Sequence, residues 1–238
     1  MTPHASEDGR REELARNLDA VRQRVEKACA AAGRDPADVT TIVVTKTFPS
    51  ADVRLLWELG VRDVAENRDQ EAKGKAADVA DLSDLRWHFV GQLQTNKAGS
   101  VARYADVVHS VDRIRLVRAL DRGADAAGRR LGCLVQISLD GDSRRGGVAA
   151  EGASDVAAAV AAADNLTLLG VMAVAPLGED PAKAFTRLAE ISNALCADHP
   201  DAGWISAGMS GDLEQAVAAG ATHLRVGAAV LGSRPPLR

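Results

Sequence analysis

The sequence predicts an α/β protein folded as a single (β/α)8 TIM barrel with an extra N-terminal helix. Three observations carry that prediction. Short apolar, β-branched runs alternate with helical stretches along the whole chain, and eight such β units can be counted. Hydrophobic residues make up 46% of the sequence but aromatics only 3%, so the apolar mass is mostly Ala, Val and Leu. That mixture suits buried parallel strands under Ala-rich helices. No Pro/Ser-rich hinge interrupts the alternation. An open doubly wound sheet alternates in the same way, but eight regular units without a break favour the closed barrel.

The elements follow in order. Leu14, Leu18, Val21 and Val25 recur at spacings of three and four, which predicts a helix from Glu12 that Gly33 and Pro36 stop. Thr40–Thr45 is a β-branched run that reads as the first buried strand. A helix follows Ser50, with Val53, Leu55, Leu56 and Leu59 on its apolar face, and ends at Gly60. Further strands are predicted at Val61–Ala65, Arg86–Val90, Asp106–Ser110, Gly132–Ser138, Thr167–Ala173, Gly203–Ala207 and Thr222–Val226. Helices are predicted between them, at Arg113–Ala127, Ser154–Ala163, Pro181–Ala197 and Asp212–Ala219.

Bulk properties bound the function. The formal net charge is −4 with both signs well mixed, which argues against general affinity for nucleic acid or acidic membranes. No apolar run approaches the roughly 20 residues of a membrane span. Cys29, Cys133 and Cys196 are odd in number and widely spaced, so a reduced, cytoplasmic chain without a metal cluster is expected. Residues 1–11 are polar and charged, unlike a secretory signal, and are expected to form a disordered tail; residues 12–238 form the barrel domain.

In barrels of this kind, function gathers at the C-terminal ends of the strands. Lys46 ends the first strand behind Ile42, Val43 and Val44, whose apolar surroundings would desolvate its amine. A desolvated lysine has a lowered pKa and can attack a carbonyl; otherwise a lysine there caps the strand and reaches solvent. Gly208-Met-Ser-Gly-Asp212 follows the seventh strand and opens a helix. Ser210 there either caps that helix or, with free backbone N–H groups and close approach over glycine, receives a phosphate. Gly227, after the eighth strand, would form the other wall, since phosphate sites favour the loops after strands seven and eight. Arg225, near the end of the last strand, needs an acceptor if buried: a carboxylate in the barrel, or the ring nitrogen or phosphate of a ligand.

These residues belong to an ordered motif series that resembles the pyridoxal-phosphate homeostasis proteins, the YggS/PROSC group, similar in fold to the N-terminal barrel of alanine racemase. Val44-Thr-Lys46 resembles V-[ST]-K, and Glu66-Asn67 with Gln70-Glu71 resembles G-E-N-Y-x-Q-E. Trp87-His-Phe-Val-Gly-Gln-Leu-Gln-Thr-Asn-Lys97 resembles W-H-x-I-G-x-L-Q-x-N-K. Gly208-Met-Ser-Gly-Asp212 and Arg225-Val-Gly227 resemble G-M-S-x-D and R-[IV]-G. The resemblance covers nearly the whole chain. It implies pyridoxal 5′-phosphate (PLP) as cofactor, held as a Schiff base on Lys46. Ser210 and Gly227, with Ala228, would hold the phosphate, Arg225 would face the ring nitrogen, and Asn67 and Met209 would line the ring. His88, in the W-H motif, is counted with the cofactor residues without an assigned contact. The chain departs from the pattern at Ala65 for Gly, Arg68 for Tyr, Arg145 for Lys, and Ala228 for a Thr that commonly adds a hydroxyl to the phosphate site.

Turnover is not expected. An Arg partner cannot supply the acid that makes the cofactor ring a strong electron sink. The racemases that this barrel resembles take a second acid/base, a Tyr, from an additional domain of a partner subunit. The only tyrosine here, Tyr104, is predicted outside the barrel, and the chain ends soon after the eighth strand. The resemblance therefore implies a non-catalytic monomer that buffers PLP and delivers it to apo-enzymes. The alternatives are a small PLP-dependent racemase or lyase using His88, His109 or Lys97, and a phosphosugar barrel with Lys46 as an aldolase-type lysine.

Overall fold

Eight parallel strands close on themselves in chain order, and the seam is made by the first strand pairing with the last. The computed structural model describes residues 7–142 and 145–232. The elements are α1 (Glu7–Ala32), β1 (Thr40–Val44), α2 (Ser50–Glu58), β2 (Asp63–Glu66), α3 (Asp69–Asp78), β3 (Arg86–Phe89), α4 (Ala98–Val101), β4 (Val107–Val111), α5 (Ile114–Ala127), β5 (Leu131–Gln136), α6 (Ala153–Ala161), β6 (Leu166–Met172), α7 (Pro181–Asp198), β7 (Trp204–Ser206), α8 (Leu213–Ala218), β8 (His223–Val226) and α9 (Ala228–Leu231). The predicted (β/α)8 barrel with an added N-terminal helix is the observed fold.

One boundary differs. α1 begins at Glu7, so its first five residues belong to the stretch expected to be a disordered tail. Glu7 and Asp8 occupy its first turn, where carboxylates complement the helix dipole. Arg10 then fastens the turn to the barrel, with Nη2 2.6 Å from Asp52 and 3.1 Å from the Leu231 carbonyl. Residues 1–6 of that tail, and residues 233–238 at the other end of the expected domain, lie outside the described residues.

The strand alternation divides the core into two layers. Trp87 and Phe89 on β3, Val108 on β4, and Leu224 and Val226 on β8 face the helices, joined by Leu14, Leu18, Val21 and Val25 of α1. Between them, period-two geometry turns His88, His109, His223 and Arg225 into the barrel. An inner apolar cluster of Val107, Leu134 and Met172, with Leu169, Val174 and Trp204 against it, fills part of that interior. Trp204 stacks on His223 with centroids 3.8 Å apart. Buried polar side chains, among them His88, His109, Ser206 and Arg225, share the rest of the interior with Ile42 and Ala65. No helix among the described residues is long and apolar enough to cross a membrane.

Candidate functional site at the barrel mouth

Barrel closure makes neighbours of the two ends of the chain. Ile42 lies in register with Arg225, and Val43 with Val226. Lys46, two residues past the end of β1, is half-buried beside the turn that follows β8. A Cβ on Gly227 would sit 3.3 Å from the Val44 carbonyl, so glycine lets that turn lie against β1. The segment that leads into Lys46 and the loop after β8 thus share one rim of the mouth.

The loops after β7 and β8 also meet. The Ala229 N–H reaches Ser210 Oγ at 3.3 Å, and the Met209 N–H donates to Asp212 at 2.6 Å. Gly208 adopts a positive φ of 88°, and a Cβ there would lie 2.5 Å from that of Ala216, so no other residue fits this bend. From outside, Arg24 of α1 donates to the Ser210 carbonyl at 3.0 Å and pairs with Glu214 at 2.8 Å. The added N-terminal helix therefore braces the Gly208–Asp212 loop. Met209 itself is 40% exposed at the rim.

Arg225 is 5% exposed. Its Nη1 donates to Ser206 Oγ at 2.6 Å and its Nη2 to the Ala173 carbonyl at 2.9 Å. Neither partner is charged, and among the described residues it makes no ion pair. Burial pulls its pKa down, and the more distant Asp212 partly offsets this. A buried cation with neutral partners is costly unless an anion or strong acceptor completes its shell. The carboxylate partner open from the sequence is absent at ion-pair distance among the described residues. A buried donor beside two touching loops fits a ligand bearing an acceptor and a phosphate.

The rim after β2 and β3 is built differently. A Cβ on Gly91 would lie 2.1 Å from the Asn67 carbonyl oxygen, so Gly91 packs directly on the Asn67 backbone. A groove lined by Asn67, Arg68, Gln92, Leu93 and Lys97 joins the two motifs there. Beneath it, Glu66 is wholly buried, accepts from Thr45 Oγ1 at 2.7 Å, and pairs with Lys75 at 2.6 Å. Burial pushes its carboxyl above the usual range, although hydrogen bonds from Lys75 and Thr45 oppose this, and its Oε2 has no partner. Arg145, in place of the family's Lys, spans the loops after β5 and β6 through Asp140 at 2.7 Å and the Ala175 carbonyl at 2.9 Å.

His88 stands apart from the expectation. It is 1% exposed, and both ring nitrogens are taken by protein groups, Asp63 at 2.9 Å and His109 at 2.8 Å. It lies in the barrel interior beneath the mouth. Sequence reasoning passed over Asp63, Ser206, Lys75 and Arg24. Asp63 and Ser206 carried a usable signal, since both are polar residues at inward strand positions next to apolar ones.

The alanine racemase N-terminal domain family matches residues 13–235. A relative from Mycobacterium bovis, named pyridoxal phosphate homeostasis protein, is 46% identical over 94% of this chain and 94% of its own. The protein of the same name from Escherichia coli is 33% identical over 93% of this chain and 97% of its own. The solved structure of PipY from Synechococcus elongatus with PLP bound is 33% identical, with a TM-score of 0.80, covering 92% of this chain and 100% of that one.

Proposed function

The chain belongs to the pyridoxal phosphate homeostasis protein family, built on the alanine racemase N-terminal domain, and on that premise we propose that it binds PLP at the barrel mouth. Lys46 is the covalent tether, joined to the cofactor aldehyde as a Schiff base. Ser210, Gly227 and Ala228 receive the phosphate, Arg225 donates to the ring nitrogen, and Asn67 and Met209 flank the ring. The single observation that carries this reading is the seam of the barrel. It pairs the strand that leads into Lys46 with the strand that carries Arg225, which makes no ion pair among the described residues, next to the two touching loops. PLP supplies an aldehyde, an acceptor nitrogen and a phosphate, which match an amine, a donor and the loop pair that carries Ser210 and Gly227.

The role is holding and delivery to apo-enzymes rather than turnover, by a monomeric cytoplasmic protein. An acid/base for turnover has to reach a substrate. His88 and His109 are buried with every ring nitrogen engaged, so neither serves as the second group that a racemase or lyase needs. Purified protein is expected to absorb in the visible range, and borohydride reduction followed by peptide mass mapping is expected to place the cofactor on Lys46. An absent cofactor mass, or an adduct on another lysine, overturns the assignment. Release of α-proton label from an amino acid, abolished by Lys46→Ala, would instead establish a catalyst.

A further inference from the structure

Five polar side chains run through the barrel interior in an unbroken line. Arg86 grips Asp63 at the foot of β2 and β3, with both contacts at 2.8 Å. Asp63 Oδ1 lies 2.9 Å from His88 Nε2, and His88 Nδ1 lies 2.8 Å from His109 Nε2. His109 Nδ1 lies 2.9 Å from Ser206 Oγ, which lies 2.6 Å from Arg225 Nη1. His88, His109 and Ser206 are each no more than 1% exposed, so water does not compete for these bonds.

Arg225 can only donate, and ionised Asp63 can only accept. With both rings neutral, these ends order every proton between them: His88 donates from Nε2 to Asp63 and accepts at Nδ1, His109 donates to it from Nε2 and accepts at Nδ1, and Ser206 accepts from Arg225 and donates to His109. The competing order, in which Ser206 accepts from both Arg225 and His109, requires His88 to be an imidazolium. Burial, chiefly, holds His109 far below the usual imidazole range, in keeping with a neutral ring. Hydrogen bonds from His88 and Arg86 outweigh the burial of Asp63 and keep it ionised.

We propose that Ser206, His109, His88 and Asp63 form a one-way hydrogen-bond relay that positions the Arg225 guanidinium as a fixed donor, so that the mouth selects a ligand presenting an unprotonated acceptor there. The residues are positioning residues, because they act through Arg225. A relay whose protons all run toward Asp63 has none to offer the ligand. It also spends one Arg225 N–H on Ser206 in a set direction, which leaves the remaining N–H groups aimed consistently instead of rotating. Selection for an acceptor ring nitrogen rests on the PLP reading above; the proton order of the relay does not.

The test therefore has two arms on the full chain. Nitrogen NMR of labelled protein at neutral pH is expected to show both His88 and His109 as neutral Nε2–H tautomers. An Nδ1–H tautomer or an imidazolium at either ring overturns the relay, whatever the ligand proves to be. In the second arm, affinities are compared for PLP and its carbocyclic analogue lacking the ring nitrogen. Wild type is expected to prefer PLP by about tenfold, the worth of one charge-assisted hydrogen bond. Ser206→Ala is expected to remove most of that preference and to shift the pH midpoint of the cofactor's visible band, and Ser206→Thr to restore both. Equal preference in wild type and Ser206→Ala, with the fold intact by circular dichroism, overturns the positioning role. If wild type binds neither compound, the PLP reading falls, and with it the selectivity claim, while the NMR arm still decides the relay.

Discussion

Lys75 Nζ lies 2.6 Å from Glu66 Oε1 beneath the β2 rim of the mouth, with 8% and 0% of the two side chains exposed. The same amine also donates to Glu71 at 2.7 Å and to the Thr45 carbonyl at 2.8 Å. One cation thus ties β2, α3 and the residue before Lys46 together. Lys75→Met removes it and leaves Glu66 buried and unpaired. Breaking such a pair costs ~3–5 kcal/mol. Glu66 is already held above the usual carboxylate range, and loss of its cation raises it further. A carboxyl raised in the folded state favours folding at low pH and loses that advantage as pH rises. The variant is therefore expected to unfold at much lower urea than wild type at pH 7, with a smaller deficit at pH 5. An equal deficit at both pH values would show that Glu66 does not carry the penalty.

The contact between Gly91 and Asn67 predicts a steep steric effect. A methyl group at Gly91 would meet the Asn67 carbonyl oxygen at 2.1 Å and the carbonyl carbon at 2.7 Å, and both are backbone atoms that cannot rotate away. Gly91→Ala is expected to cost ~1–3 kcal/mol or more and to displace Asn67 from the mouth, weakening cofactor binding. Gly74, inside α3, has nothing within 4 Å of an added Cβ. Gly74→Ala is expected to stabilise by ~0.5–1 kcal/mol and to leave binding unchanged. Thermal melts and cofactor titration of the pair check this.

Acid should destabilise the barrel from within. Burial, chiefly, lowers His109 well below 6.5 and His223 to about 4. In the unfolded chain both bind protons near pH 6.5, while the folded barrel keeps them neutral. The unfolded state thus holds more protons below pH 6.5, and stability is full above that value and falls as pH drops toward 4. Each histidine contributes ~1.4 kcal/mol per pH unit over that window. Urea midpoints measured from pH 7.5 to 4.5 are expected to stay level above pH 6.5 and then decline. A flat profile down to pH 5 would contradict neutral burial of the two rings.

The Arg24 brace should matter more for binding than for folding. It is partly exposed, so its pairing with Glu214 is worth ~1 kcal/mol or less. Its bond to the Ser210 carbonyl, however, holds the Gly208–Asp212 loop in the posture in which Ser210 meets Ala229. Arg24→Ala is expected to lower the melting temperature by only a few degrees. It is also expected to weaken PLP binding severalfold, mainly through faster release, measured by cofactor transfer to a trap. A large melting shift with unchanged release would assign Arg24 to the fold alone.

Most of the fold was legible because its signals are local. Seven of the eight predicted strands overlap the observed ones nearly end to end, since a β-branched run bounded by turns has few other ways to bury itself. β2 begins later than predicted, at Asp63, because Arg62 turns back to donate to the Trp57 and Val61 carbonyls. The start of α1 escapes the sequence pattern for a different reason. Its first turn is held by Arg10 reaching Asp52 and Leu231, contacts distant in sequence that a periodicity cannot show.

By itself the sequence determined the barrel, the rim residues and the family, because strand spacing and ordered motifs are properties of short segments. Which residues meet was decided by tertiary structure alone. Closure pairs β1 with β8, and so brings the strand that leads into Lys46 against the strand that carries Arg225 and ends at Gly227. Strand alternation turns His88 inward, where Asp63, His109 and Ser206 from three other strands claim its neighbourhood and Arg225 finds a partner. Hydrogen-bond direction depends on both ends of a chain of contacts at once. No single segment contains those two ends, so only the folded barrel specifies the order of protons that leads to Arg225.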